Sequence, residues 1–319
     1  MTSRALLSRS DGVDEAVDLE SWDARAVRDD ELLWIDAQSP SDAERKPIAS
    51  ALALDVSVLD ALDACVAEPD ARVLGEGILV SVQTLTGNLA DHPVVLHILV
   101  GDGWVVTWHA ESIDFLDEHF KRIQDERAIG RLTAVLFLVE ILDWHLDTYF
   151  AAAEALEREV DDLDEAALRG DAKNILERLV RMRRRISRVR HLLGVHRDMY
   201  AEIGRPDFLP ETDPREAAAL AAINHRLERA TEAVANAREM LIGTFDVHMT
   251  RTAQRTNDVM KLLTWVSVTL LPAAVLAGIM GMNFQVGLFS HPSVFWIVIA
   301  AMILIAGTIL GAARWRRWL

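Results

Sequence analysis

From about residue 131 to its end, the chain repeats apolar residues at intervals of three and four, the spacing of one helix face. Before that point the periods are mixed. Leu32-Leu33-Trp34-Ile35 is a short apolar run ending at Asp36, Ser41-Asp42 opens an amphipathic helix, and Ser57 opens another near 57–67. Val73 to Leu85 and Val94 to Val100 are rich in β-branched residues. Asp102-Gly103 then turns the chain into Trp104-Val105-Val106-Thr107-Trp108, a hairpin signature, and Ser112 is placed to cap the next helix. Residues 1–130 are therefore expected to form an α/β domain on a small, largely antiparallel sheet.

The helical part begins with Thr133 to Ala167, whose second half is acidic (Glu154, Glu157, Glu159, Asp161, Asp162, Asp164, Glu165). After Gly170 the polarity reverses, with Arg178, Arg181, Arg183, Arg184, Arg185, Arg188 and Arg190. Opposite charge on adjacent helices predicts an antiparallel hairpin over 131–212, each arm supplying counter-ions for the other. Pro206 and Pro210 end the second arm, and Asp213-Pro214 opens a new helix with proline at its favoured first position. The next proline is Pro272, so one continuous helix over about 214–281 is predicted, roughly 100 Å long at 1.5 Å per residue. Its part at 213–261 would be a stalk.

Between Lys261 and Arg314 there is no Asp, Glu, Lys or Arg. A bilayer core of about 30 Å needs roughly 20 apolar residues per helix, so this interval predicts spans at 262–283 and 294–313, a short outer loop at 284–293 and a basic tail at 314–319. The fold class expected is an α+β membrane protein: a cytoplasmic α/β domain, a long helical stalk and two C-terminal transmembrane helices per subunit. Arg4, Arg9, Asp11 and Asp14 leave no room for a signal-peptide core, so the spans are expected to be internal anchors. Arg251, Arg255 and Lys261 precede the first span, and Arg314, Arg316 and Arg317 follow the second, while the loop has no Lys or Arg. That asymmetry predicts a multi-pass protein of the cytoplasmic (inner) membrane with both termini inside. Trp315 and Trp318 suit an interfacial belt.

The formal net charge of −16 argues against a nucleic-acid partner, whose phosphates would be repelled. Cys65 is the sole cysteine, so no intramolecular disulfide can form. Asp143, His145 and Asp147 are spaced by two, which scatters them around a helix; His191 and His196 diverge by roughly 140°. An ordinary helix surface is the expectation for both sets. No GxSxG, HExxH or GxxxxGK[ST] pattern occurs, and neither an enzyme nor a resident cofactor is expected.

The uncharged interval carries the chemistry. Asn257, Met260, Leu263, Thr264, Ser267, Leu271, Ala274, Gly278 and Gly281 fall on one helical stripe of small, polar and flexible residues, with Trp265 and Val268 off it. One hairpin cannot enclose a path, so a conducting route would need several copies about an axis. Rings of amide oxygen from Asn257 and Asn283 would suit a hard divalent cation that keeps its waters. Thr256-Asn257-Asp258-Val259-Met260-Lys261, Leu271-Pro272 and Gly278-Ile279-Met280-Gly281-Met282-Asn283-Phe284 closely resemble the CorA family of divalent-cation channels. Leu142-Asp143 through Tyr149-Phe150 and Asp161-Asp162-Leu163 resemble that family's acidic arm.

The resemblance implies a homopentamer in the lipid bilayer, a pore lined by the long helix and transported Mg²⁺, with Co²⁺ or Ni²⁺ as surrogates. Carried over by position, Gly281, Met282 and Asn283 form the outer selectivity site and Asn257 an inner polar ring. Met260, Leu263 and Leu271 are then apolar constrictions. This chain departs from the pattern in three places. The loop Gln285 to His291 lacks acidic residues, leaving His291 and backbone oxygens at the mouth; Ala274 stands where magnesium-selective relatives can place a hydroxyl; and Met280 replaces an aromatic. The alternative within the superfamily is a zinc transporter of the ZntB branch, proton-coupled, although zinc prefers imidazole or thiolate and the stripe has no histidine. Family members close when cytoplasmic Mg²⁺ bridges carboxylates between subunits. Asp55, Asp60, Asp63, Glu68, Asp70 and Glu216 are candidates that sequence does not pair.

Overall fold

The computed structural model describes residues 3–9, 14–19, 22, 31–63, 68–74, 77–85, 93–126, 132–169, 174–209, 212–282 and 292–315. The chain divides into two compact units, Met1–Phe245 and Asp246–Leu319.

The first unit opens with strands β1 (Ser3–Arg9), β2 (Asp14–Ala16) and β3 (Glu31–Gln38). Helices α1 (Asp42–Ala51) and α2 (Val56–Asp63) follow, then β4 (Asp70–Leu74), β5 (Gly77–Thr84), β6 (Val94–Gly101) and β7 (Trp104–His109). The strands form one seven-stranded sheet in the order β2-β1-β3-β7-β6-β5-β4. Every neighbouring pair is antiparallel except β3 and β7, whose Ile35 sits opposite Val106. The sheet is larger than the sequence suggested, because β1 and β2 carry little apolar or β-branched signal and owe their place to pairing with β3 and β1.

Alternation along the strands builds two cores. Leu6, Trp34, Val80, Ile98 and Val105 face one layer together with helices that come later in the chain. Leu7, Ile35, Leu79, Leu99 and Val106 face the other, against Ile48 of α1 and Leu59 of α2. Local signals work as expected at two places. The Ser41 amide donates to the Glu44 carboxylate at 3.0 Å at the start of α1. Gly101 pairs with Trp104 across the Asp102-Gly103 turn, where Gly103 has φ 72°, the left-handed conformation glycine tolerates. Two caps differ. Asp55, not Ser57, caps α2 by accepting the Ser57 amide at 2.8 Å, and Ser112 gives its hydroxyl to Asp117 instead of capping. A carboxylate outcompetes a hydroxyl for an exposed helix-start amide because the helix dipole favours negative charge there.

The layer on the first core face is helical: α3 (Asp114–Glu126), α4 (Ala134–Arg169), α5 (Ile175–Val195), α6 (Arg197–Ile203) and the first part of α7 (Pro214–Met280). Thr133 accepts the Leu136 amide at the start of α4 and donates its hydroxyl to Glu216 on α7. Helices α4 and α5 are antiparallel, since Glu159, ten residues before the end of α4, meets Arg185, ten residues after the start of α5. The sequence pointed to opposite charge as the bond between the arms. Instead the seam is apolar, with Leu156, Val160 and Leu163 buried in one cluster with Leu179, Met182 and Ile186. Fully burying each such side chain is worth about 1.5–3 kcal/mol, whereas a surface ion pair is worth about 0–1, so the seam decides. Arm two also runs on past Val195 into α6, ahead of Pro206. On α7 the buried positions Leu220, Ile223, Leu227, Ala230, Val234, Ala237 and Leu241 keep a four-three spacing that packs one stripe into the same core.

The second unit holds the remainder of α7 and helix α8 (Pro292–Trp315). None of its described residues is buried.

Candidate functional site

Asn257, Met260, Leu263, Thr264, Ser267, Leu271, Ala274 and Gly278 all lie on α7, on one side of it, and all are exposed. Met260, Leu263 and Leu271 are 55%, 58% and 66% exposed, values that a soluble helix could not carry beside Val266, Val268 and Val275 without a partner or a lipid solvent. Helix α7 is long and apolar enough to cross a membrane, and α8 holds a shorter apolar run, Phe295–Ile309. The hydroxyls are not loose. Thr264 donates to the Met260 carbonyl at 2.8 Å and Ser267 to the Leu263 carbonyl at 2.9 Å; Thr252 and Thr256 do the same one turn back along the helix. Helix α7 ends at Met280, and Gly281 closes a last turn to the Ala277 carbonyl at 2.9 Å. Gly281 and Met282 are exposed there. Asn283 and His291 lie outside the described residues.

Of the histidines read from sequence as helix surface, His191 is exposed, whereas the other two are among the most buried polar groups described in the first unit. His145 and His196 are fully buried. They serve Gln83 of β5, whose outer edge is uncovered because β4 pairs β5 only as far as Ser81. The Gln83 amide donates to His196 Nε2 at 2.9 Å, and its carbonyl accepts from His145 Nε2 and the Tyr149 hydroxyl, each at 3.0 Å. Tyr200 reaches His145 Nδ1 at 2.9 Å, and His196 Nδ1 donates to the Leu192 carbonyl. This arrangement uses both imidazoles in the neutral form. Burial lowers His145 to about 4, and burial with the neighbouring His145 lowers His196 to about 3. Alternation on α4 hid this from sequence reasoning: His145 turns inward while Asp143 and Asp147 turn to Arg226 of α7, which also lies 5.6 Å over the Phe150 ring.

A second buried network ties β1, β3, β7 and α3. Asp36 accepts from Thr107 at 2.6 Å, His109 Nε2 at 3.0 Å and Arg4 Nε at 2.9 Å, and Arg4 also meets Asp117. Burial alone would raise the Asp36 carboxyl, but His109, Thr107 and Arg4 outweigh it and hold it below the usual range. Four of the six carboxylates considered for regulation have structural partners: Asp55 caps α2, Asp60 pairs with Arg45, Asp70 with Arg72, and Glu216 accepts from Thr133. Among the described residues no group of three or more His, Cys, Asp or Glu is placed to hold a metal ion.

A family model described as CorA-like Mg²⁺ transporter protein matches residues 29–311. The chain belongs to this family. Similar curated proteins include two cobalt/magnesium transport proteins CorA. That of Thermotoga maritima is 26% identical over 212 residues, which is 65% of this chain and 59% of the relative. That of Methanocaldococcus jannaschii is 25% identical over 295 residues, 89% of this chain and 90% of the relative. The chain thus spans less than two thirds of the Thermotoga protein and nine tenths of the Methanocaldococcus one. Among solved structures, the complete CorA magnesium transporter from M. jannaschii aligns with a TM-score of 0.78 at 23% identity, covering 97% of both chains. The full-length CmaX protein aligns at 0.70 with 20% identity over 99% and 98%. The cytoplasmic domain of ZntB from Vibrio parahaemolyticus aligns at 0.53 with 10% identity, over 77% of this chain and 99% of that domain. At these identities the likeness establishes the fold: a soluble α/β and helical part joined to a long helix and an apolar C-terminal helix.

Proposed function

We propose that the chain forms a homopentameric channel through which Mg²⁺ enters the cytoplasm down its electrochemical gradient. Helix α7 lines the path and α8 stands as a second, peripheral span, with both termini inside. The observation that carries this reading is the uncharged, exposed stripe on α7 from Asn257 to Gly278, continued by Gly281 and Met282, in a chain of the CorA-like family. An amide at Asn257 and, by position, one at Asn283 offer neutral oxygen to an ion that sheds its waters reluctantly. Met260, Leu263 and Leu271 supply apolar constrictions that close by dewetting. An inside-negative potential helps by about 2.3 kcal/mol per charge per 100 mV, roughly 4.6 for a divalent ion. No energy-coupling site is then required.

The test is uptake into proteoliposomes holding purified protein, with Mg²⁺ and Zn²⁺ compared with and without a pH gradient. Potential-driven Mg²⁺ uptake indifferent to pH is expected. Zinc uptake that follows the proton gradient would overturn the magnesium reading and place the chain in the zinc branch, with His291 the next residue to examine.

A further inference from the structure

Helix α7 packs in the helical layer near its start and carries the stripe from Asn257 to Gly278 further on, all within one helix from Pro214 to Met280. Each residue turns an α-helix by about 100°, so the rotation of α7 in the layer sets the phase of the stripe. The apolar contacts alone leave that rotation open. Leu220, Ile223, Leu227, Ala230, Val234 and Ala237 repeat at alternating intervals of three and four. A slide of four residues lays apolar positions on apolar positions, moving the helix about 6 Å along its axis and turning it by about 40°. A slide of three does the same over about 4.5 Å, with a turn of about 60° the other way.

Two polar contacts with α4 close these alternatives. Glu216 is buried and accepts the Thr133 hydroxyl at the start of α4, together with the Asp213 amide at 3.2 Å. Ten residues further along α7, Arg226 meets Asp143 and Asp147 of α4 and lies over the Phe150 ring. Asp143 is itself ten residues beyond Thr133, so the two helices run alongside each other in the same sense. Sliding α7 by three residues one way would offer Arg229 to the aspartates but only Ala219 to Thr133. Sliding it by three the other way would offer Asp213 to Thr133 but only Ile223 to the aspartates. A slide of four in either direction satisfies neither contact, since Leu220 with Ala230, or Thr212 with Ala222, would take the two places. Neither contact excludes every slide; the two together do.

We propose that Glu216 and Arg226 are positioning residues for ion passage, which together key α7 against α4 and so fix the rotational phase of the stripe from Asn257 to Gly278. The proposal rests on the path reading above. Fixing register is the best-attested use of polar and ionic groups set among apolar contacts.

The test is the reaction of a permanently charged methanethiosulfonate with single cysteines in the full chain, held in proteoliposomes, with Cys65→Ser removing the native thiol. Ser267→Cys lies on the stripe, and Val268→Cys and Leu270→Cys flank it on opposite sides. Ser267→Cys should react at least tenfold faster than either flank. Adding Glu216→Ala with Arg226→Met should speed one flank at least tenfold. Glu216→Gln with Arg226→Lys, which keeps an acceptor and a cation, should leave the pattern as it was. Unchanged rates in the Glu216→Ala/Arg226→Met protein, still oligomeric by native mass spectrometry, would overturn the keying alone. If that protein does not assemble, Glu216→Ala and Arg226→Met are compared singly; each leaves one slide open, and unchanged rates in both would overturn the keying equally. An unreactive Ser267→Cys with both contacts intact would overturn the path reading and this proposal together.

Discussion

Acidification should loosen the helical layer from β5, and the size of the effect follows from His145 and His196. Both sit below the ordinary value of 6.5, at about 4 and about 3, chiefly because burial disfavours the charged ring. Above 6.5 both are neutral whether the chain is folded or not, and pH has no leverage through them. Between 6.5 and their folded values the unfolded chain takes up protons that the folded chain refuses, so stability falls as pH falls. At about 1.36 kcal/mol per pH unit for each histidine, the pair together removes about 4 kcal/mol by pH ~5. For a unit of this size that corresponds to a drop of roughly 10 °C in melting temperature. The assay is tryptophan-fluorescence melting of the detergent-solubilised protein from about pH 7.5 to 5, wild type beside His196→Gln and the double variant His145→Gln/His196→Gln. The single variant should start lower, because the Gln83 amide loses a well-placed acceptor, and its slope with pH should be about half that of the wild type. Equal pH slopes in wild type and double variant would refute the reasoning.

Other expectations follow from single contacts. Asp36→Ala removes the acceptor shared by Arg4, Thr107 and His109 and should cost about 3–5 kcal/mol in a chemical-denaturation series, since it strands buried donors. Because Asp36 is held below its usual value, its contribution should persist at neutral pH and fade only as pH falls through the carboxylate range. Gly101→Ala would set a Cβ 2.2 Å from the Trp104 ring, so the ring must move and its fluorescence should shift; unchanged emission and stability would contradict the packing described. Arg226→Met leaves Asp143 and Asp147 facing each other without their cation. At this partly exposed site it should cost about 1 kcal/mol, read as a small drop in melting temperature that high salt narrows. Asn283→Ala should cut Mg²⁺ flux while oligomer mass is unchanged; normal flux and selectivity would sink the assignment of the outer site.

Long-range periodicity was legible in the sequence, and pairings between distant residues were not. The length of α7 could be read from the gap between Pro214 and Pro272, and the β6–β7 hairpin from Asp102-Gly103, because each signal is local. Strand β1 could not, since seven residues with three apolar ones form a strand only when β3 offers its edge. The charges of α4 and α5 were visible, but not that Leu163 and Ile186 outweigh them. Burial of His145 was hidden because neighbours two residues away, Asp143 and Asp147, serve a different helix. The stripe from Asn257 to Gly278 was legible as a stripe; its function depends on other copies and on a membrane that one chain does not contain.

Thr264 and Ser267 have a further consequence. Their hydrogens are committed to backbone carbonyls one turn earlier, so each oxygen presents only lone pairs outward. Water around a cation points its hydrogens away from the ion, and water around an anion points its oxygens away. On the proposed path, such a wall accepts hydrogen bonds from the shell of a hydrated cation and has none to give to that of an anion. It would sort ions by sign while carrying no charge. Thr264→Val with Ser267→Ala should then raise the chloride share of the current, measured as a shift in reversal potential, and an unshifted potential would rule this filter out.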